Sequence, residues 1–187
     1  VPERATERVT EVAPLLFGLG LVEAIPEATI ESRADPDDAD GDGISGRANR
    51  LADGRLGRLS RKADVATILD LVGAAFITEL GLTSPRYPVE EGLNGTPLPP
   101  EVDPAADPEL DEETLQAVAD FIRFLAPPAP ETPASSKARD SIAEGARLFH
   151  GLGCASCHVP TLETGPNPVP ALDRKAIAQA GLRVVFA

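Results

Sequence analysis

Four stretches of the chain carry apolar residues at the spacing of an amphipathic helix. In residues 61–81 the apolar positions recur at intervals of three and four. Residues 110–126 show the same spacing behind Asp111, a favourable N-cap residue. Residues 137–151 form a third such stretch, and a short one near 172–181 predicts a fourth helix. No convincing alternation of apolar and polar residues indicates a strand, so we predict an all-α fold.

Long loops rich in proline and glycine are expected between these helices. The chain holds 19 prolines and 16 glycines in 187 residues, and both residue types interrupt helices. Residues 15–22 are apolar at nearly every position, which predicts that they lie in the core. We expect an accessory N-terminal helical portion over residues 1–126, a proline-rich linker over 127–136 and a C-terminal segment over 137–187.

Both cysteines of the chain lie in one short motif. Cys154 and Cys157 are two residues apart, and His158 follows directly. C-x-x-C-H is the attachment signature of c-type haem: the two thiols reach the two vinyl groups of the porphyrin, and the histidine binds the iron. An unmodified dithiol or disulfide, a thioredoxin-like site and a zinc site are the alternatives. Zinc would need about four Cys or His ligands, and the chain has two of each. We predict one covalent haem c with His158 as proximal ligand, in a cytochrome c-like helical segment over 137–187.

The sixth ligand of such an iron is left open by the sequence. Methionine is absent, so this chain cannot supply the His/Met pair of many electron-transfer haems. His150 and Tyr87 are weak candidates. We expect the sixth position of the iron to be open or water-bound, or to be filled by a ligand from outside the sequence, rather than by His150 or Tyr87.

An acidic turn over residues 35–49 suggests a second metal site. Asp38, Asp40 and Asp42 match the D-x-D-x-D-G opening of a calcium loop. The twelfth position is Asn49, where an EF-hand carries glutamate, so we exclude an EF-hand. A calcium site of another kind and a solvated acidic turn both remain open.

The charge balance limits the partners. With 17 Lys and Arg against 30 Asp and Glu, the net charge is −13. This charge argues against nucleic acid as a partner and favours a redox protein with a basic surface. The chain would then be a possible subunit of a larger electron-transfer complex. Solubility alone would explain the charge equally well.

No apolar run approaches the ~20 residues of a membrane span. Bacterial haem c is attached outside the cytoplasm, so we expect a periplasmic location. The start at Val1 suggests a processed or incomplete terminus.

Short motifs spread over most of the chain resemble one family. They are Gly18–Pro26, Asp40–Arg47, Lys62–Ala63, Ala74–Phe76, Leu80–Ser84, Phe124–Pro128, Gly145–Phe149 and Gly153–Pro160. Their order resembles the bacterial di-haem oxidoreductases, also known as thiol oxidoreductases and related to di-haem cytochrome c peroxidases. The resemblance implies two cytochrome c-like domains with one covalent haem each. This sequence departs from the pattern: it has a single C-x-x-C-H, and Gly57–Ala63 lacks the family's aromatic residues.

From these observations we predict a c-type cytochrome that carries one covalent haem c for one-electron transfer. The alternative is that the chain forms part of a di-haem oxidoreductase of peroxidase or oxidase type. The sequence leaves open whether the chain is an enzyme.

Overall fold

The computed structural model describes residues 10, 12–92, 95–99, 101–129 and 131–178. The helices are α1 (Leu19–Glu23), α2 (Glu27–Glu31), α3 (Ile68–Ala75), which continues as a π-helix (Phe76–Leu80), α4 (Glu112–Arg123), α5 (Ser136–Gly151) and α6 (Cys154–Cys157). The strands are β1 (Thr161–Glu163) and β2 (Ala176–Ala178), which pair antiparallel.

The expectation of an all-α fold was wrong. Helices make up only 34% of the described residues, and a small two-stranded sheet is present. The fold is mixed and rich in loops, because proline and glycine keep most helices short and the connections carry much of the chain.

Helices α1, α3 and α4 pack against one another and form the centre of the molecule. Ile68, Leu115 and Ala119 are fully buried between them. The side chain of Glu23 on α1 joins the three helices, because it accepts hydrogen bonds from the backbone N–H of Ile68 (2.8 Å) and from Arg123 Nε (2.8 Å). Burial of the apolar faces, with this polar link, holds the centre together.

The second and third predicted helices are confirmed. Helix α4 begins after Asp111, whose carboxylate accepts a hydrogen bond from the N–H of Thr114 at 2.7 Å. Helix α5 begins after Ser135, whose hydroxyl accepts from the N–H of Ala138 at 3.1 Å. Side chains that satisfy the free N–H groups of the first turn fix where such helices start.

The helix predicted over 61–81 begins later in the structure than the sequence pattern suggested. Helix α3 begins at Ile68, after the N-cap residue Thr67. The preceding residues form a turn instead, in which the N–H groups of Arg58 and Leu59 donate to the carbonyl of Val65, both at 2.9 Å. These backbone hydrogen bonds take the place of the helical hydrogen bonds that a helix starting at residue 61 would need. The predicted stop is confirmed, since Gly81 adopts a left-handed conformation with φ of 68°.

The prediction of a helix near 172–181 was also wrong, because no helix forms in the described part of that range. Residues 171–174 form a turn and Ala176–Ala178 form β2; residues 179–181 lie outside the described part. In the sheet, Leu162 is the register partner of Ile177, and both are buried. Residues 176–178 form a strand because they pair with residues 161–163, earlier in the chain. The local spacing of apolar residues does not reveal such a pairing.

Burial of the whole run 15–22 was expected but is found only at its C-terminal end. Leu15, Leu16 and Phe17 are 66%, 39% and 47% exposed, whereas Val22 is buried. The chain enters the core only at Gly18, whose N–H donates to the carbonyl of Leu125 at 2.8 Å.

The sheet shares the core of the N-terminal helices. Val159, Leu162 and Ile177 belong to the same cluster of buried side chains as Val22 and Ile25. Among the described elements, helix α5 in contrast makes extensive contacts only with α6. The division into residues 1–126, 127–136 and 137–187 stays a prediction. None of the helices in the described ranges is long and apolar enough to cross a membrane.

Candidate functional site

The C-x-x-C-H motif forms a single exposed helical turn. Gly153 precedes it with φ of +78°, a left-handed conformation that glycine adopts without strain. The N–H of His158 donates to the carbonyl of Cys154 at 2.8 Å, which closes the turn. Both cysteines are free and exposed. The turn therefore brings the two thiols and the imidazole together at the surface.

Helix α5 leads directly into this turn and presents apolar side chains to solvent. Ile142, Leu148 and Leu152 are 59%, 43% and 76% exposed, and α5 has no buried residue. Ile142 and Leu148 fall within one wide stripe of α5, and Leu152 directly follows the last residue of the helix. An apolar helix face of this kind, next to two free thiols, is a surface that a bound apolar group would cover.

Phe149 joins this apolar face to the histidine. Its ring centroid lies 6.3 Å from that of His158 and 6.1 Å from that of His150. The sequence indicated Phe149 only as a helix position. Its place five residues before the first cysteine, on the apolar side of α5, was the signal that could have identified Phe149 as part of the site.

These residues fit a covalently attached haem. The donor set consists of two accessible thiols and one imidazole on a closed turn, and the adjoining helix face is apolar and lacks a protein partner among the described helices except α6. The assignment of Cys154, Cys157 and His158 to haem stays a prediction.

The two candidates for the sixth ligand occupy different surroundings. His150 is exposed near the end of α5, edge-on to Phe149. Tyr87 packs against Gly73 of α3 instead, and neither α5 nor α6 makes extensive contact with α3. Burial raises the pKa of the Tyr87 phenol. The structure therefore brings His150, and not Tyr87, near the cysteines.

The acidic turn gathers three carboxylates, but not the three expected from the sequence. Oxygens of Asp35, Asp38 and Asp40 all lie within 4.8 Å of one another. Asp42 accepts a hydrogen bond from the N–H of Ile44 at 2.8 Å and is not in this group. Hydrogen bonds from the N–H groups of Ala39 and Asp40 lower the pKa of Asp35. Calcium at this turn stays a prediction.

Comparisons with known proteins identify the family. Residues 8–180 match a family model described as "Di-haem oxidoreductase, putative peroxidase". No curated protein and no solved structure matches the chain. The family match covers nearly the whole chain and includes the C-x-x-C-H turn, the helix that leads into it and the core formed by α1, α3 and α4. The chain therefore belongs to the di-haem oxidoreductase family.

Proposed function

We propose that this chain acts as part of a haem oxidoreductase of peroxidase or oxidase type, rather than as a simple single-haem electron carrier. The observation that carries the proposal is the family match over residues 8–180, which contains the exposed C-x-x-C-H turn. Haem, when bound, would supply the one-electron redox chemistry of such a reaction.

The chain's own residues would hold and position that group. Cys154 and Cys157 would each form a thioether by addition of the thiol across a vinyl group, and His158 would bind the iron. Ile142 and Leu148 would exclude water from one side of the site. Phe149, in contact with the His158 ring, would restrict the orientation of the imidazole.

One-electron transfer is the second candidate, and a specific observation favours it. The sequence contains a single C-x-x-C-H motif, so this chain can attach one haem covalently through such a motif. A closed six-coordinate site would transfer electrons without binding peroxide, whereas an open position would admit it.

The two candidates differ in how the ferric protein reacts with small ligands. We would mature the protein in a bacterial periplasm, then measure cyanide binding by the shift of the Soret band and peroxide consumption with a reduced electron donor. The peroxidase or oxidase proposal expects rapid cyanide binding and donor-dependent peroxide consumption. A Soret band that cyanide leaves unchanged, together with no peroxide consumption, would establish the electron carrier instead. The His150→Ala variant serves as control: if His150 blocks the sixth position, its removal should speed cyanide binding.

We also propose an extracytoplasmic location and a redox partner with a basic surface. The location is supported by the C-x-x-C-H motif, because bacterial haem c is attached outside the cytoplasm. The partner is supported by the net charge of −13. Cell fractionation with a periplasmic marker tests the location, and recovery of the mature protein with the cytoplasmic fraction would contradict it.

A further inference from the structure

The negative charge of the chain is concentrated in one stretch. Residues 87–122 contain ten Asp and Glu and no Lys, Arg or His. All other positions together hold the remaining 20 acidic residues and all 17 basic ones. Most of the net charge of −13 therefore lies in this stretch, whereas solubility alone would be served by dispersed charge.

The first part of this stretch folds into a cleft lined by carboxylates. The cleft has a volume of about 370 Å³, and its walls include Glu90, Glu91, Asp103 and Asp107. Desolvation raises the pKa of Glu90, and a hydrogen bond with Asp103 and the neighbouring negative charges raise it further. Glu90 thus lies close enough to Asp103 and Asp107 to be repelled by their negative charges.

No basic side chain within the described ranges forms an ion pair with these four carboxylates. The nearest base along the chain, Arg86, is already paired with Asp70 (3.0 Å) and Glu112 (2.9 Å). Within the part of the chain that the structure describes, the charge of these four carboxylates is therefore not compensated by an ion pair.

Hydrogen bonds with a buried residue, Thr83, hold one wall of the cleft in place. Thr83 is fully buried, and its hydroxyl bonds to the carboxylates of Asp107 and Glu109. Its N–H donates to Glu109 at 2.8 Å, and its carbonyl accepts from the N–H of Leu110 at 3.1 Å. A surface fixed in this way loses little conformational entropy when a partner binds.

Exposed apolar side chains lie among the carboxylates. Val89 lines the cleft and is 67% exposed, and Val102, next to Asp103, is 61% exposed. Apolar contact points within a charged surround have the composition of a protein interface with a polar rim. We call Val89, Glu90, Glu91, Val102 and Asp103 the acidic surface.

We propose that the acidic surface is a docking site for a protein whose own surface carries lysines or arginines around a small apolar patch. Charge complementarity selects this occupant, because a second copy of this chain, a nucleic acid or an anionic membrane would be repelled. The proposal deepens the proposed function, since it gives the oxidoreductase a place to receive its redox partner. Binding itself needs no turnover, so the two proposals can fail separately.

The test measures binding of the haem-loaded protein to a lysine-rich, basic cytochrome c by isothermal titration at low ionic strength. The variant E90Q/E91Q/D103N removes three charges from the acidic surface. Its matched control, E131Q/D140N/E163Q, removes three exposed charges outside residues 87–122. We expect the first variant to weaken binding about tenfold and the control less than about threefold. Acetylation of the probe's lysines should abolish binding to the unaltered protein.

Equal weakening by the two variants would show that only net charge matters and would overturn the proposal. Retained binding of the acetylated probe would overturn it as well, because charge would then not select the partner. Circular dichroism spectra and melting curves of both variants establish that they are folded. Loss of peroxide consumption with intact binding would instead contradict the proposed function alone.

Discussion

At the scale of single residues, Asp70 joins three parts of the N-terminal core. Its carboxylate accepts hydrogen bonds from the Thr67 hydroxyl (2.7 Å), from Arg55 (2.5 Å) and from Arg86 (3.0 Å), while its side chain is only 14% exposed. Burial alone would raise the pKa of Asp70, but the bonds from Thr67 and Arg55 and the charge of Arg86 outweigh it, so the pKa lies below its ordinary value of 3.8. The ionised form is therefore favoured by folding.

Replacing Asp70 by Asn should destabilise the protein in a way that depends on pH. A carboxyl group with a depressed pKa contributes stability above its unfolded-state pKa and loses it as the pH falls through its folded-state pKa. We expect a loss of about 1 to 2 kcal/mol at pH 7 by urea unfolding, and a smaller difference from wild type below pH 3.8. A difference that stays constant over this pH range would contradict this explanation.

The control for Asp70→Asn is Glu144→Gln. Glu144 pairs with Arg147 on the exposed surface of α5. Because exposed ion pairs contribute little, the control should change the free energy of unfolding by less than about 1 kcal/mol.

At the scale of elements, the sequence predicts best what is decided locally. Helix α4 and its N-cap Asp111 follow from apolar spacing and capping chemistry within a dozen residues. Strand β2 does not, because Ile177 becomes a strand residue only through its pairing with Leu162. Asp35 was missed as a member of the acidic group for a similar reason: it stands before the D-x-D-x-D motif, and a turn of the backbone brings it back.

The contact between α1 and α4 requires the absence of a side chain at Gly20. A Cβ atom there would collide with the backbone carbonyl of Arg123. Gly20→Ala should therefore lower the free energy of unfolding by about 1 to 3 kcal/mol. Gly46→Ala is the control, because its Cβ would find its nearest neighbour at an ordinary 3.7 Å, and it should change stability by less than about 0.5 kcal/mol. Equal effects of the two substitutions in denaturant titrations would contradict the close approach.

Calcium binding at the acidic turn can be tested with two matched substitutions. If the converging carboxylates hold the ion, excess calcium should raise the melting temperature of wild type, with a stabilisation of about 2.7 kcal/mol at a hundredfold excess over Kd. Asp40→Asn should remove this rise. Asp42→Asn should keep it, because Asp42 is outside the group. A wild-type melting temperature that calcium does not change would leave the solvated acidic turn as the explanation.

At the scale of the whole molecule, two surfaces remain without a protein partner in the described structure. One is the apolar face of α5 beside the free cysteines, and the other is the acidic surface. The chain belongs to the di-haem oxidoreductase family, and the haem proposed above would give the first surface a redox role. The sequence identified the cysteine motif in full, because its chemistry lies in five consecutive residues. It could not show that the adjoining helix face stays exposed, since that depends on the packing of distant elements.

The most direct test of this account is a count of covalent haems. We would express the chain with a haem c maturation system, purify it under denaturing conditions and combine a pyridine haemochrome spectrum with intact mass. One haem that remains attached in wild type and is lost in Cys154→Ser/Cys157→Ser is the predicted result. A colourless wild-type protein in which both thiols of Cys154 and Cys157 still react with a thiol reagent would contradict it.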